Sequence, residues 1–556
     1  IMSKSLTTII FVGIIFLASL LRLWQLGTTP VSPDWDEVAL GYDAYSLLHT
    51  GRDEFGNFMP VVLRSYDDYK PALYIYLAVP SVEAFGLDTY AVRLPSAVFG
   101  IMTVIAVYFL VEELFTEGFI LDKKKISADQ IALLSAFLLA ISPWHIQFSR
   151  VAFESNIGLS LNVFAGLFIV KGLKRPWLLS VAAVFAALSI YAYQSEKVFT
   201  PLFIISLLLI YRKSFAKLSK KYLVSAFIIG SIVILPMILY IGTHKEALNR
   251  AQTSLAFSDQ TNFLKNDIHR LQTDKANNDL LGLVLDNRRV LYIKTGIAGY
   301  FSHFDPNWLF IKGDLARHHA PGMGLLYLWE LPFILIGIYF LIFNKYIDKT
   351  TKQVIFAWLL IAPIPAAFTN DVPHAVRTLN FLPTFQIFAS LGVIVAIKYV
   401  SSIKYQALRF SCFAIGCLFF VFNILYYLNQ YFVQQNYFYA SDWQYGYAQM
   451  IPQISTIKNN YSKIIISDKN SFDKSYMFFL YYLKFDPAEY QKLSSHDFGK
   501  YNFRTLAWKK DKFSKDSLLV GAPADFPIGV KVKTTIYFPN GNPAMLLVDP
   551  KDNLSI

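Results

Sequence analysis

The stretch "SPDWDEVALGYDAYSLLHTGRDEFGNFMP" at residues 32–60, continued by "SYDDYKP" at 65–71, decides how the rest of the chain can be arranged. It carries eight carboxylates, which are Asp34, Asp36, Glu37, Asp43, Asp53, Glu54, Asp67 and Asp68. The apolar runs at 6–26 and 90–111 on either side are each long enough to cross a bilayer. An acidic segment between two such runs predicts a loop outside the lipid with a role of its own.

The composition is that of a membrane protein with many spans. Of 556 residues, 54% are hydrophobic and only 16% are charged, whereas a soluble domain usually has about 25% charged residues. The formal net charge of +12 does not indicate nucleic-acid binding, because the basic residues lie in short clusters between apolar runs. Cys412 and Cys417 share one apolar run and predict neither a disulfide framework nor a cysteine metal site.

Apolar runs of bilayer length predict about eleven membrane helices. They lie near 6–26, 90–111, 129–143, 155–171, 177–193, 199–211, 222–242, 325–343, 354–369, 379–397 and 409–428. If the N-terminus is cytoplasmic, the loops on that side hold the basic clusters at 123–125, 171–175, 212–221, 345–352 and 398–409. The short turns on the other side hold one basic residue each, Arg150, Lys197 and Arg377. By the positive-inside rule, loops 27–89 and 243–324 and the tail after 429 lie on the extracytoplasmic side of the cytoplasmic membrane.

The tail has a different composition. Residues 430–556 are polar and lysine-rich, with strand-like runs at 463–467, 518–521, 534–538 and 545–548 and a helical stretch at 475–485. The turn residues Pro539, Asn540 and Gly541 separate two of the strands. We therefore predict a transmembrane domain at 1–429 and an extracytoplasmic soluble α/β domain at 430–556, which is long enough to fold.

The segment "YDDYKPALYIYL" at 66–77 places charged residues at the start of an amphipathic aromatic stretch. Such a stretch can lie along a membrane surface. Asp68 and Lys70 would then be held at the lipid interface, where carboxylates and a lysine suit a hydroxyl acceptor and a phosphate leaving group. The alternative is a solvated acidic surface, since loops are commonly charged.

Five fragments in order make the chain similar to a known enzyme class. They are "DE" at 36–37, "KP" at 70–71, "RLPSAVFG" at 93–100, "SPWHIQFSR" at 142–150 and "YAYQSEKVFTPL" at 191–202. This order resembles the GT-C glycosyltransferases, and within them the bacterial protein O-mannosyltransferase and aminoarabinose (lipid A) transferase type. The resemblance covers about the first 210 residues well and the later helices loosely. It implies a GT-C fold.

The resemblance also implies an inverting transfer of one sugar, a hexose or a pentose, from a polyprenyl-phosphate donor to a hydroxyl acceptor on a protein, lipid or glycan. Asp36 matches the position of the catalytic aspartate, and Glu37 lies beside it. The chemistry needs a carboxylate to take the hydroxyl proton and close positioning of the two reactants. Asp68, Tyr42 and Tyr69 are candidates to bind the acceptor. Asp53 and Glu54, further along the loop, are expected to be solvated.

A divalent cation is one of two ways to hold the donor phosphate. Asp34 and Asp36 resemble a metal-binding DxD pair, in which alternate carboxylates share Mg²⁺ or Mn²⁺. Basic side chains could serve instead, because fixed cations stabilise the charge that develops on the leaving phosphate. The candidates are Lys70, Arg93, Arg150, Lys197, Arg317 and Arg377. Each could alternatively anchor a helix end at the interface.

Two further polar segments lie close to the membrane. His303, His318 and His319, with Asp305 and Asp314, could bind zinc, but the spacing matches no standard motif, so surface histidines are favoured. The segment "SDWQYGYAQM" at 441–450 is faintly similar to the "WWDYG" motif of oligosaccharyltransferases. An interfacial aromatic belt explains Trp443, Tyr445 and Tyr447 equally well.

The sequence therefore predicts a membrane-embedded glycosyltransferase whose partners are a polyprenyl-phosphate sugar, membrane lipids and a hydroxyl acceptor. Transfer of a whole oligosaccharide, as in a ligase or oligosaccharyltransferase, is one alternative. A transporter of lipid-linked sugars is another, although a transporter should bury charges within its helices. Glu330, near the eighth predicted helix, is the residue that tests this.

Overall fold

The computed structural model describes residues 3–66, 68–121, 124–244, 255–256, 260–469 and 472–554. Asp67, Lys123 and part of the predicted loop 243–324 lie outside the described residues.

Each of the eleven apolar runs forms a helix. The helices that correspond to them are Lys4–Leu23, Thr89–Leu114, Ala128–Ile141, Glu154–Gly172, Leu178–Ser189, Glu196–Ile210, Lys220–Thr243, Glu330–Phe343, Lys349–Ile361, Thr384–Ser401 and Gln406–Asn429. Within the described residues, six helices are long and apolar enough to cross a membrane, and the bent pair Ala128–Ile141 and Pro143–Ser149 would make a seventh. The prediction of a polytopic helical membrane protein is confirmed.

Shorter helices lie between and after these eleven helices. They are Trp35–Thr50, Leu73–Phe85, Arg212–Phe215, Gln260–Ala276, Leu280–Leu285, Arg288–Ser302 and Gln435–Phe438, with single turns at Trp308–Lys312, Leu379–Phe381 and Gln430–Gln434. Two hairpins complete the membrane domain, β1 (Val62–Ser65) with β2 (Asp68–Pro71) and β3 (Phe119–Leu121) with β4 (Lys124–Ile126).

Small residues set how closely the membrane helices pack. The helices Glu330–Phe343 and Thr384–Ser401 meet at two glycines. A Cβ atom on Gly337 would lie 1.9 Å from the Phe388 carbonyl oxygen, and one on Gly392 would lie 1.9 Å from that of Phe333. Any larger side chain would push the helices apart, which is the usual reason for glycine at such an interface.

Two of the turns that carry predicted cytoplasmic basic clusters, 171–175 and 345–352, line one cavity. This cavity of about 820 Å³ is lined by residues of 113–118, 170–174 and 345–352, together with Tyr211. Lys174 pairs with Glu113 at this cavity. The structure thus brings these two turns together, while the identity of the cytoplasmic side stays a prediction from charge.

The C-terminal part forms an α/β domain, as predicted. Its five-stranded sheet contains β5 (Lys463–Ile466), β6 (Tyr501–Phe503), β7 (Ser517–Gly521), β8 (Thr534–Tyr537) and β9 (Pro543–Val548), in the order β6-β5-β7-β9-β8. Strands β6, β5 and β7 are parallel, and β7, β9 and β8 are antiparallel. Its helices are Tyr447–Ile457, Ser475–Leu483, Pro487–Tyr490 and Trp508–Asp511. In this sheet only β6 lies outside the predicted strands, because a three-residue edge strand has too few residues to show alternation.

The acidic segment after the first helix is not an irregular loop. Residues 35–50 form the helix Trp35–Thr50, whose first turn is closed by a capping box between Asp34 and Glu37. Carboxylates are stabilising in a first helical turn, where they accept from unpaired N–H groups. The other face of this helix contacts the C-terminal domain, where the Tyr42 hydroxyl donates to the Phe485 carbonyl at 3.2 Å.

Candidate active site

Asp36 and Lys70 form an ion pair at the start of the helix Trp35–Thr50. Asp36 lies in the first turn of that helix, and Lys70 lies on β2 of the hairpin that follows. The Asp36 side chain is 34% exposed, whereas the Lys70 side chain is only 9% exposed. Burial lowers the pKa of Lys70, but the negative charges of Asp36 and Glu154 outweigh it and raise the pKa. The pair therefore presents an accessible carboxylate beside a permanently charged ammonium group.

Glu154 completes this cluster, although it is not among the residues predicted from the sequence. It is the first residue of the helix Glu154–Gly172 and is buried. Its Oε1 atom has no hydrogen-bond partner within the described residues. The groups whose charges act on it include Lys70, Asp36 and Asp34. The sequence offers one signal for Glu154. It is a carboxylate at the start of an apolar helix, five residues after Ser149 of the matching fragment.

Glu37 stabilises the fold, so the prediction that it is a catalytic residue is corrected. Both oxygens accept from the Arg93 guanidinium, at 2.8 and 2.9 Å. The Ala152 amide donates to Oε1 at 3.0 Å, and the Asp34 amide donates to Oε2. Since Glu37 is fully buried and satisfied by these donors, it fixes the helix start and leaves no atom for a substrate.

Arg93 is likewise removed from the donor-phosphate candidates. Besides Glu37, its guanidinium donates to the carbonyls of Leu26, Pro30 and Ser32 at 2.9–3.1 Å. The side chain is completely buried. These bonds hold the segment between the first helix and the helix Trp35–Thr50.

Arg150 is also withdrawn as a phosphate ligand. It is completely buried, and it donates to the carbonyls of Leu21, Gln25 and Thr29 at 2.9–3.2 Å. Its guanidinium also lies 5.4 Å from the centre of the Tyr431 ring. Arg150 therefore closes the end of the first helix rather than facing a ligand.

Arg317 reaches the same helix start from the later part of the membrane domain. It pairs with Asp34 and lies 4.2 Å above the Trp35 ring. Asp34 is thereby engaged at both oxygens, because Oδ1 accepts from the Glu37 amide at 2.9 Å. A divalent cation shared by Asp34 and Asp36 would therefore have to share Asp34 with Arg317 or displace it.

Arg377 and Lys197 belong to neighbouring turns. Arg377 donates to Thr369 Oγ1 at 2.6 Å and to the Asn370 carbonyl. Burial raises the pKa of the Tyr193 hydroxyl to about 12. The positive charges of Arg377 and Lys70 oppose this rise, whereas the negative charge of Glu154 adds to it. The charges of Arg377 and of the Asp36 cluster therefore act on the same hydroxyl group, that of Tyr193. The Lys197 side chain is half-buried and makes no hydrogen bond or ion pair within the described part of the chain, whereas its amide donates to the Gln194 carbonyl at 3.2 Å.

The acceptor candidates have different surroundings. Tyr42 is buried against the C-terminal domain and does not face Asp36, so that assignment is corrected. Asp68 and Tyr69 are half-buried on β2, next to Lys70. The Tyr69 amide donates to Asp68 Oδ1 at 2.8 Å, and the Tyr69 carbonyl accepts from Gln194 at 2.9 Å.

Several residues that were expected at the surface are buried. Asp53 and Glu54 are not solvated, because the helix Trp35–Thr50 and the C-terminal domain cover them, and Gln491 donates to the Asp53 carbonyl at 2.9 Å. Trp443 and Tyr447 are completely buried within the protein, so they are not part of an aromatic belt. His303, His318 and His319 are also buried, which contradicts their interpretation as surface histidines.

Comparisons with known proteins bear on the fold of the chain. The family described as dolichyl-phosphate-mannose-protein mannosyltransferase matches residues 69–240. ArnT from Cupriavidus metallidurans, bound to undecaprenyl phosphate, superposes with a TM-score of 0.54 at 10% identity over 98% of both chains. Its apo form gives the same TM-score at 11% identity and 98% coverage of both chains. Among curated proteins, none matches the sequence significantly.

A second group of similar structures is longer than this chain. The oligosaccharyltransferase of Archaeoglobus fulgidus, tethered to an acceptor peptide, has a TM-score of 0.50 at 12% identity. The match covers 86% of this chain and 63% of that one, so the chain spans less than two thirds of that enzyme.

Together, the fold and the comparisons define a polytopic membrane protein with the GT-C glycosyltransferase fold and a C-terminal α/β domain. More particularly, the predicted resemblance to the protein O-mannosyltransferase and aminoarabinose transferase type is confirmed.

Proposed function

We propose that this chain is an inverting glycosyltransferase that moves a hexose or pentose from a polyprenyl-phosphate donor to a hydroxyl acceptor. The observation that carries the proposal is the ion pair of the accessible Asp36 carboxylate with the buried Lys70 ammonium, on which the charge of the buried Glu154 carboxylate also acts. The predicted charge bias supports an extracytoplasmic site in the cytoplasmic membrane.

Asp36 is the base of the proposed reaction. The acceptor oxygen attacks the anomeric carbon while the bond from that carbon to the phosphate oxygen breaks, and the hydroxyl proton passes to Asp36. The polyprenyl phosphate leaves with the bonding electrons, and the sugar configuration inverts. Lys70 keeps Asp36 ionised before attack, because a neighbouring cation favours a charged carboxylate.

Glu154 supports the acceptor in this proposal. Its unpartnered Oε1 can accept a hydrogen bond from the acceptor or a sugar hydroxyl, and such an atom is otherwise costly to bury. Asp68 and Tyr69 lie next to Lys70 on β2 and are the remaining acceptor contacts. The acceptor is a protein, lipid or glycan hydroxyl.

The donor phosphate needs fixed cations, and the revised set is Lys70, Lys197, Arg317 and Arg377. Arg377 acts on the same tyrosine hydroxyl as the Asp36 cluster. The Lys197 ammonium group has no side-chain partner in the described residues that would compete with a phosphate. A preorganised cation at a leaving phosphate lowers the barrier because its orientation costs nothing during the reaction.

The charges inside the membrane helices favour this proposal over a transporter. Glu196 is held by Asn162 and Asn380 at 2.5–3.0 Å. Glu330 begins its helix and accepts from the Tyr327 amide at 3.1 Å. Both carboxylates have protein partners of their own, whereas a transport path needs polar groups that exchange partners.

The test is an assay of the purified protein with radiolabelled polyprenyl-phosphate sugar and water or a candidate acceptor. We expect Asp36→Asn to reduce release of polyprenyl phosphate by about 10²–10⁴-fold. The matched control is Glu83→Gln, which changes an exposed carboxylate on the helix Leu73–Phe85. Full activity of a folded Asp36→Asn variant would refute the assignment. A lipid pyrophosphate as product would favour the oligosaccharyltransferase alternative instead.

A further inference from the structure

A second cluster of titratable side chains lies outside the Asp36 site. The ligand atoms of Asp314, His318 and His374 all lie within 4.8 Å of one another. Asp314 and His318 belong to one turn, four residues apart, and His374 belongs to the turn between the helices Lys349–Ile361 and Thr384–Ser401. The tertiary fold therefore assembles two imidazoles and one carboxylate from two separate segments.

Hydrogen bonds within the protein account for only part of this cluster. His318 Nδ1 lies 2.9 Å from Asp314 Oδ2, which also accepts from the Ala375 amide at 2.7 Å. The Nδ1 atom of His374, in contrast, is buried without a hydrogen-bond partner in the described residues. The main chain fixes its location, because the His374 amide donates to His303 Nε2 at 3.2 Å. A buried imidazole nitrogen in such a position needs a partner.

We propose that Asp314, His318 and His374 bind a divalent transition-metal ion of the zinc type. Two imidazoles and one carboxylate are a donor set that zinc takes in proteins, with a fourth ligand such as water. The ring contacts of His318 support this, because its centroid lies 5.8 Å from the Phe148 ring and 5.7 Å from the Phe153 ring. An apolar wall of this kind controls solvent access and the dielectric at a metal site.

The ion would join two segments that reach the Asp36 site. Arg317, which pairs with Asp34 and covers Trp35, lies within the same turn as Asp314 and His318. Arg377 follows His374 by three residues and donates to Thr369 and Asn370. A metal bridge between the turns would hold both guanidinium groups at fixed separation. It would do so from outside the cluster of Asp36, Lys70 and Glu154.

The experiment measures the metal directly and does not depend on activity. The full chain is purified in detergent without chelator or immobilised metal, and its metal content is determined by inductively coupled plasma mass spectrometry. We expect about one zinc-type ion per chain, and at most about a tenth of that amount in His374→Asn and in His318→Asn. His319→Asn is the matched control, because its Nδ1 is bonded to the Leu315 carbonyl and it lies outside the cluster.

Thermal unfolding gives the second measurement. Added Zn²⁺ should raise the Tm of the chelator-stripped wild type and of His319→Asn but not that of His374→Asn, because a ligand stabilises only a state that binds it. If the histidine variants fail to fold, the stripped wild type alone decides through its Zn²⁺ titration. A folded wild type that contains no metal and shows no Tm response would overturn the proposal and leave a hydrogen-bonded cluster only.

Discussion

The Lys70 ammonium group on β2 pairs with the Asp36 carboxylate, 34 positions earlier in the chain. The pair links the start of the helix Trp35–Thr50 to the hairpin before the helix Leu73–Phe85. Both partners lie in fragments that the sequence singles out, but only the fold shows that they touch.

Removing the Lys70 charge should reduce transfer strongly. We expect Lys70→Met to lower kcat/KM by about 10²–10³-fold, because a preorganised cation beside the base and the phosphate is lost. Lys70→Arg should retain part of the activity. Initial rates with labelled donor measure the effect. The control is Lys515→Met, which removes an exposed lysine of the C-terminal domain. Wild-type rates for a folded Lys70→Met variant would contradict the proposed role.

The Glu154→Gln variant should lose activity without losing thermal stability. The change should reduce activity by about 10–10³-fold while leaving the Tm unchanged or higher, because Oε1 has no partner to lose. Glu196→Gln is the comparison, since it weakens bonds to Asn162 and Asn380 and should lower the Tm. Activity assays and thermal unfolding in detergent test both. A Tm loss in Glu154→Gln as large as in Glu196→Gln would show that Glu154 is structural.

The Arg93 and Glu37 pair should behave as a structural element. Glu37→Gln or Arg93→Gln should destabilise the protein by about 3–5 kcal/mol, because each leaves a buried charge without its partner. The double variant should cost less than the sum of the single ones. Denaturant unfolding of the four proteins measures this cycle. Strictly additive effects would mean that the two side chains do not stabilise each other.

Asp43 and Glu54 should make stability depend on pH. Burial raises the pKa of both carboxyl groups well above the usual range, and the negative charge of Asp53 adds to the effect on each. The folded state therefore binds protons more tightly than the unfolded chain. Their stability contribution is present below the unfolded pKa values of about 4 and is lost as pH rises toward the folded values.

Glu54→Gln should accordingly raise the Tm at pH 8 and change it little at pH 4. Both Glu54 oxygens lack a hydrogen-bond partner in the described residues, and the positive charge of Arg64 offsets the burial of Glu54 only in part, so the amide removes a costly buried charge. Glu83→Gln, at an exposed position, should have no effect at either pH. Thermal unfolding at the two pH values measures both variants. A lower Tm for Glu54→Gln at pH 8 would contradict this prediction and indicate a bound cation beside the carboxylates.

The membrane helices and most strands of the C-terminal sheet were predictable because their physical causes are local. An apolar run in lipid must satisfy its own backbone groups and becomes a helix. Alternating short runs with a turn at 539–541 likewise identify β8 and β9. The acidic segment was predicted as a loop, because its helix contains buried carboxylates and tyrosines that show no apolar stripe.

The roles of individual charged residues depended on three-dimensional neighbours. Arg93 and Arg150 looked like phosphate ligands, but converging carbonyl groups from the first helix and its following turn occupy them. Glu154 was not predicted, because a single carboxylate at a helix start does not by itself indicate a site. Only the fold shows that the charges of Lys70 and Asp36 act on it.

By itself, the sequence determined a chain of membrane helices with an α/β tail, and it identified Asp36 and Lys70 as candidate site residues. Hydrophobic length, charge and local turn residues act over short distances along the chain, and so they can be read from it. The tertiary structure alone decided which buried charges the protein satisfies and which polar atoms have no partner within the described residues. That distinction depends on atoms brought together from distant segments, as Asp314 and His374 show.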